Sequence, residues 1–144
     1  MNISELKAKI IQADWRIKDV LRDSGYLQYG EMEDVEYDST DPEQAFLATE
    51  LQRMLSSLDY VHSMLQYIQL PIEHEGILHM QPNGRYHCDG IELTCGSPLE
   101  ILITNDDGGQ EWVASRLEAN SGYYFVAKPG LQLEGQKARI RKRM

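Results

Sequence analysis

Cysteine, phenylalanine and tryptophan appear twice each and proline five times in this 144-residue chain, and each shortage excludes something. Two cysteines cannot make a disulfide framework, so they are read as reduced thiols. No apolar run approaches the ~18 residues that a membrane helix needs, and the mean hydropathy is -0.48. The opening residues MNISELKAKI carry charges where a signal peptide requires an apolar core, so a cytoplasmic location is expected. Positive charge is scarce: fourteen Lys and Arg face twenty-three Asp and Glu, which disfavours a general phosphate-backbone binder. G-x-S-x-G, P-loop, G-x-G-x-x-G and H-E-x-x-H patterns are all missing, so no catalytic residue and no cofactor is assigned. At 16.5 kDa the chain has room for one ordinary domain or two small ones.

What is present divides into two periodicities. Ile3, Leu6, Ile10, Ala13, Ile17 and Val20 recur at steps of three and four, which predicts a helix over about 4–24 with Ser4 as N-cap and Gly25 just past its end. The acidic stretch from Gly25 to Thr40 loses that pattern and reads as a loop. Asp41, Pro42 and Gln44 then make a helix start, and Leu47, Leu51, Met54, Leu58, Val61, Leu65 and Ile68 carry the stripe to about residue 70, where Pro71 stops it.

Beyond Pro71 the period becomes two. Ile91, Leu93 and Cys95 alternate with polar residues, as do Leu99, Ile101 and Ile103. Asp89-Gly90 is a two-residue hairpin turn that sets Cys88 opposite Ile91, His87 opposite Glu92 and Tyr86 opposite Leu93. Further turns divide the remainder into strands near 99–104, 110–118, 123–127 and 136–142. The expected class is α+β: an N-terminal antiparallel α-helical hairpin of residues 1–71, then a small antiparallel β barrel or coiled sheet of residues 72–144.

Residues of the second half carry a resemblance. Gly84-Arg85-Tyr86, Gly96-Ser97-Pro98-Leu99-Glu100, Trp112, Arg116, Glu118, Tyr123-Tyr124-Phe125, and Leu133 with Gly135 before Ala138-Arg139-Ile140-Arg141 resemble a small β family of unknown function in proteins of Gram-positive bacteria, some on mobile elements. The likeness runs over about residues 76–143. It implies a compact β fold and supplies no reaction or ligand.

Several constellations invite chemistry. His79, His87, Cys88 and Cys95 suggest a metal, yet the hairpin register sends His87 and Cys88 to opposite faces, so no metal site is assigned. The Asn105–Glu111 loop lacks two calcium ligands and reads as a polar hairpin loop. Trp112, Arg116 and Glu118 share one strand face, and with Tyr123, Arg139 and Arg141 they form the candidate interaction surface. The bland alternative has Trp112 capping the core while Arg116 and Glu118 pair with neighbouring strands. Lys137 to Arg143 holds five of the fourteen basic residues, and the rest of the chain carries nine basic against twenty-three acidic groups. A final strand lying on that acidic body is expected ahead of a nucleic-acid arm.

The helices suggest a partner. Each carries more apolar surface than one neighbour can cover, and Ile11, Trp15 and Leu55 are the candidate dimer-interface residues, unless the β half covers Ile11 and Trp15. The expected function is therefore a non-enzymatic protein-interaction or adaptor protein, a homodimer through its helices with no membrane contact. The alternative is a nucleic-acid-associated accessory protein of a mobile element using the basic C-terminal strand, with a small enzyme third.

Overall fold

A computed structural model describes residues 1–143, which form two compact units that divide after Gln69. The first unit is helical: α1 (Ile3–Asp23), α2 (Tyr26–Tyr29) and α3 (Pro42–Gln69). The cap of α1 is Asn2 and not Ser4. Its side chain accepts the Glu5 N–H at 2.9 Å while the Glu5 carboxylate accepts the Asn2 N–H at 3.2 Å, a capping box that only a residue three before a Glu can make. At the other end Gly25 sits at φ 83°, and a Cβ there would lie 2.9 Å from the Asp34 nitrogen, so glycine is required twice over. The expected loop contains the extra turn α2, closed by Gly30 at φ 71°. At the start of α3, Asp41 accepts the Glu43 N–H as expected, but Gln44 reaches back to the Asp38 N–H at 2.8 Å instead of closing a box on Asp41.

Leu21 of α1 and Ala48, Leu55, His62 and Leu65 of α3 are the buried helix residues of this unit, with Gly25 buried just past α1. Positions 48, 55 and 62 repeat every seven residues, the spacing of a helix seam. Asp14 meets His62, while Gly30 and Met32 meet the Gln52 amide further back along α3. The seam is rotated away from the apolar stripe read from the sequence: of those seven residues only Leu65 is buried. Two features favour the rotated face. Ala48 is small enough for close approach, and His62 finds a carboxylate, neither of which a count of apolar residues registers.

The second unit comprises β1 (Ile72–Ile77), β2 (His79–Met80), β3 (Tyr86–Cys88), β4 (Ile91–Glu92), β5 (Pro98–Thr104), β6 (Gln110–Ala119), β7 (Tyr123–Phe125) and β8 (Lys137–Arg141). They form an antiparallel five-stranded sheet in the order β1-β8-β5-β6-β7 and a three-stranded sheet β2-β3-β4. The expected barrel is not found: among the described residues β1 and β7 end the larger sheet and do not pair with each other. Leu99, Ile101 and Ile103 of β5, Leu117 of β6, Phe125 and Ala138 face a core completed by Leu78, Tyr86, Cys88, Leu93 and Leu133. The Asp89-Gly90 turn has both residues at positive φ, 51° and 77°, and gives the expected register. β1 was not foreseen, because IEHEGI has little apolar content and becomes a strand through its pairing with β8. Cys95 falls in the turn closed by the Ser97 N–H on the Thr94 carbonyl and is exposed, while Cys88 is fully buried. No described helix is long and apolar enough to cross a membrane.

Burial pushes the Cys88 thiol up from its ordinary pKa, with Asp89 adding to the shift. A disulfide reagent should therefore titrate one thiol, Cys95, in the native protein and both in denaturant. Cys88→Ser should lower stability by about 1–3 kcal/mol in urea unfolding, because a buried hydroxyl replaces an apolar thiol.

Candidate functional site

The outward face of the five-stranded sheet is built by simple alternation. With Leu99, Ile101 and Ile103 turned inward, Glu100 and Leu102 turn out, and the register aligns Glu100 with Ala114 of β6 and Arg139 of β8. Arg139 and Arg141, two apart on β8, share that face. Glu100 lies between them, only 3% exposed. Its Oε1 accepts Arg139 Nη2 at 2.7 Å and Nε at 2.8 Å, and its Oε2 accepts Arg141 Nε at 2.5 Å. Arg141 also donates through Nη1 to the Leu70 carbonyl at 2.8 Å. Above this network the Arg139 guanidinium stacks on the Trp112 ring, 4.3 Å from its centroid.

Of the six candidate surface residues, Trp112, Arg139 and Arg141 are thus brought together, by a glutamate that sequence reasoning passed over. Arg116 and Glu118 pair with each other at 3.0 Å. Tyr123 is half-buried. It stands opposite Ala119 and packs against the core, whereas Tyr124, opposite Glu118, belongs to the outward face. The signal for Glu100 was available in principle: two arginines at i and i+2 on one strand face need an acidic neighbour.

Chemically this arrangement is a clamp and not an acid–base pair, since both partners of the carboxylate are guanidiniums that keep their protons at any physiological pH. It also absorbs much of the basic strand. Lys137 lies 4.0 Å from Glu75, and the groove lined by Arg141, Lys142 and Arg143 contains Glu73 and Glu92. Removing the carboxylate would leave two half-buried cations facing one another. Glu100→Ala should cost about 3–5 kcal/mol in urea denaturation. Glu118→Ala, which breaks an exposed pair, should cost less than about 1 kcal/mol.

All four histidines have a carboxylate neighbour: His62 with Asp14 at 2.9 Å, His74 with Asp89 at 3.1 Å, His79 with Glu134 at 3.0 Å and His87 with Glu92 at 3.8 Å. Among the described residues no three His, Cys, Asp or Glu side chains converge as metal ligands. His62 and Asp14 are the most enclosed pair and border a small groove with Ile11, Trp15, Lys18 and Gln66. A His–carboxylate pair is half of a general-base relay, but no hydroxyl or thiol lines this groove to be activated. Of the candidate dimer residues, Ile11 and Trp15 flank the groove, with Trp15 70% exposed, while Leu55 is 6% exposed within the α1–α3 seam.

Two carboxyls are held below the usual glutamate range. Glu134 is lowered first by the His79 ring and then by the Met80 N–H, Glu92 first by the Asn83 amide and then by Arg85. A depressed folded pKa contributes stability that is fully present above the unfolded value, about 4.3, and is lost as pH falls through the folded one. Glu134→Gln should therefore flatten the loss of stability below about pH 4.3, measured by thermal melts across pH 2–6.

Such a unit, two small antiparallel sheets sharing one core, is the class of fold present here. Within it, residues 76–140 match the sequence model of a domain of unknown function, DUF5348. No curated protein and no solved structure matches the chain.

Proposed function

We propose that the chain is a non-enzymatic interaction or adaptor protein, in which α1 and α3 pack as an antiparallel hairpin and a second copy completes a four-helix assembly. The observation that carries this reading is the apolar face left open on the helices. Leu6, Ile10 and Val20 on α1 and Leu47, Leu51, Met54, Val61 and Ile68 on α3 are all exposed, Leu51 by 44% and Met54 by 55%. Helical spacing sets these positions on the flank of the seam away from Trp15, Lys18 and Gln66. Eight half-open side chains of this size offer on the order of 600 Å², near the ~800 Å² per partner of a standard interface. Burying a Leu or Ile fully is worth about 1.5–3 kcal/mol, a large share of a domain's net stability. A twofold contact covers the same strip on both chains at once. This face replaces the Ile11–Trp15 strip as the proposed interface, because that strip is bordered by Lys18 and Gln66 and offers fewer apolar groups.

A nucleic-acid role through the basic C-terminal strand, as in an accessory protein of a mobile element, has less support. Arg139 and Arg141 are engaged by Glu100, which leaves chiefly Lys142 and Arg143 for phosphates.

Light scattering at tens of micromolar is expected to give twice 16.5 kDa for the wild type and 16.5 kDa for Leu51→Glu. Trp15→Glu, on the other flank, should leave the dimer intact, and Leu55→Glu should unfold the helices. A monomeric wild type would overturn the proposal.

A further inference from the structure

We infer that the uncovered half of β6 is a strand-addition edge, and that its occupant is the same edge of a second copy, paired antiparallel about Trp112. This surface is separate from the helical face above. β6 has ten residues; β5 pairs with 110–116, whereas β7 pairs only with 117–119. The Leu117 N–H and C=O both turn to the β5 side, bonding the Ser97 carbonyl at 3.1 Å and the Gly96 N–H at 2.8 Å. Backbone groups alternate sides along a strand, so those of 115, 113 and 111 also turn to β5, and those of Arg116, Ala114, Trp112 and Gln110 turn away. The Arg116 carbonyl obeys this and accepts the Val126 N–H at 3.0 Å, which closes the edge at that point. Beyond it, Ala114, Trp112 and Gln110 have no strand beside them among the described residues, and Ala114 is exposed.

Free edges normally carry a guard such as a bulge, a proline, a lysine or extreme shortness. The other two ends of the molecule's large sheet have one. β1 has a register shift between Ile72 and His74, and its Gly76 lies against Asp89 of the β3–β4 turn. β7 is three residues long. The open half of β6 has no proline, no lysine and an unbroken seven-pair register with β5.

Complementarity selects a second copy as the occupant. Asp106, Asp107 and Glu111 lie at one end of the edge. At the other are Lys128, one residue past Ala127, whose N–H bonds Ser115 Oγ, and the Arg116–Glu118 ion pair, so this end keeps one net positive charge. Antiparallel self-pairing therefore sets the acidic end of each copy against the basic end of the other. A twofold axis at Trp112 brings the outward-turned residues opposite one another and leaves out Arg116, which Val126 already meets: Trp112 faces Trp112 of the second copy, and Ala114 faces its Gln110. Each facing pair exchanges both N–H···O bonds, and the two indoles meet across the axis. So short an edge buries less than a standard interface, so the contact is weak and belongs to roughly 0.1–1 mM protein.

Residue-resolved amide exchange on the full chain tests this. At about 0.5 mM the Trp112 and Ala114 amides should exchange at least about tenfold more slowly than at about 10 µM, while Val113 and Ser115, bonded to β5, stay slow at both. Ala114→Pro removes a donor the chain itself does not use and should abolish the concentration dependence. Leu51→Glu should halve the mass without touching that dependence, so the two interfaces fail or stand separately. Trp112 and Ala114 amides that exchange equally fast at both concentrations in the wild type would overturn the inference, as would protection that survives Ala114→Pro.

Discussion

The buried Glu100 carboxylate is the constraint around which the β unit is arranged. It stands on β5 and holds two side chains of β8, and β8 is the strand that joins β5 to β1. One of those side chains, Arg141, also grips the Leu70 carbonyl at the head of the unit. The last strand is therefore fixed to the first by charge-assisted bonds as well as by the ladder. A carboxylate this enclosed is tolerable only because both oxygens are occupied, and the guanidiniums are tolerable because one stacks on an indole and the other has a carbonyl. Against an apolar replacement of equal shape such a network adds little stability. Its effect is on which arrangement forms, because β8 slipped by one residue would turn both arginines to the core side.

The helical unit solves the same problem differently. Its seam contains one hydrogen-bonded polar pair, His62 with Asp14, among Leu21, Ala48, Leu55 and Leu65. A polar pair inside an apolar seam disfavours rotated or shifted packings, since those would bury each group without its partner. The rotation it selects leaves the richest apolar stripe of α3 facing outward. Apolar content and burial therefore part company on this helix, and the stripe is available for something other than the fold of a single chain.

That is also where reading the sequence fell short. Helix ends and turns were legible because their signals are local: Pro42 and Asp41 start α3, Gly25 closes α1, and Asp89-Gly90 sets the hairpin register. The inward residues of β5 and β6 were legible because period two leaves them no other face. The seam was not, since seven apolar residues on α3 outvote Ala48 and His62 in any count. β1 was not, because its strand state is conferred by β8. At the candidate surface, alternation set Trp112, Arg116 and Glu118 on one face but did not choose between Tyr123 and Tyr124, and Glu100 was missed because a lone acid between Leu99 and Ile101 reads as a solvated position.

The pairing of charges explains why the functional reading rests on apolar and backbone groups. Glu100 takes Arg139 and Arg141, Glu118 takes Arg116, Glu92 takes Arg85 and lies near His87, and His62, His74 and His79 each have a carboxylate of their own. Charges paired in this way partly neutralise one another. Two features of another kind stand open among the described residues: the apolar flank of α1 and α3, and the outward backbone of β6 beside Trp112. In the proposed assemblies the first would take a helix and the second a strand, each in a defined register. Neither requires the side-chain chemistry that a small-molecule site demands. On the reading proposed above, these two kinds of surface are what a second polypeptide would take up.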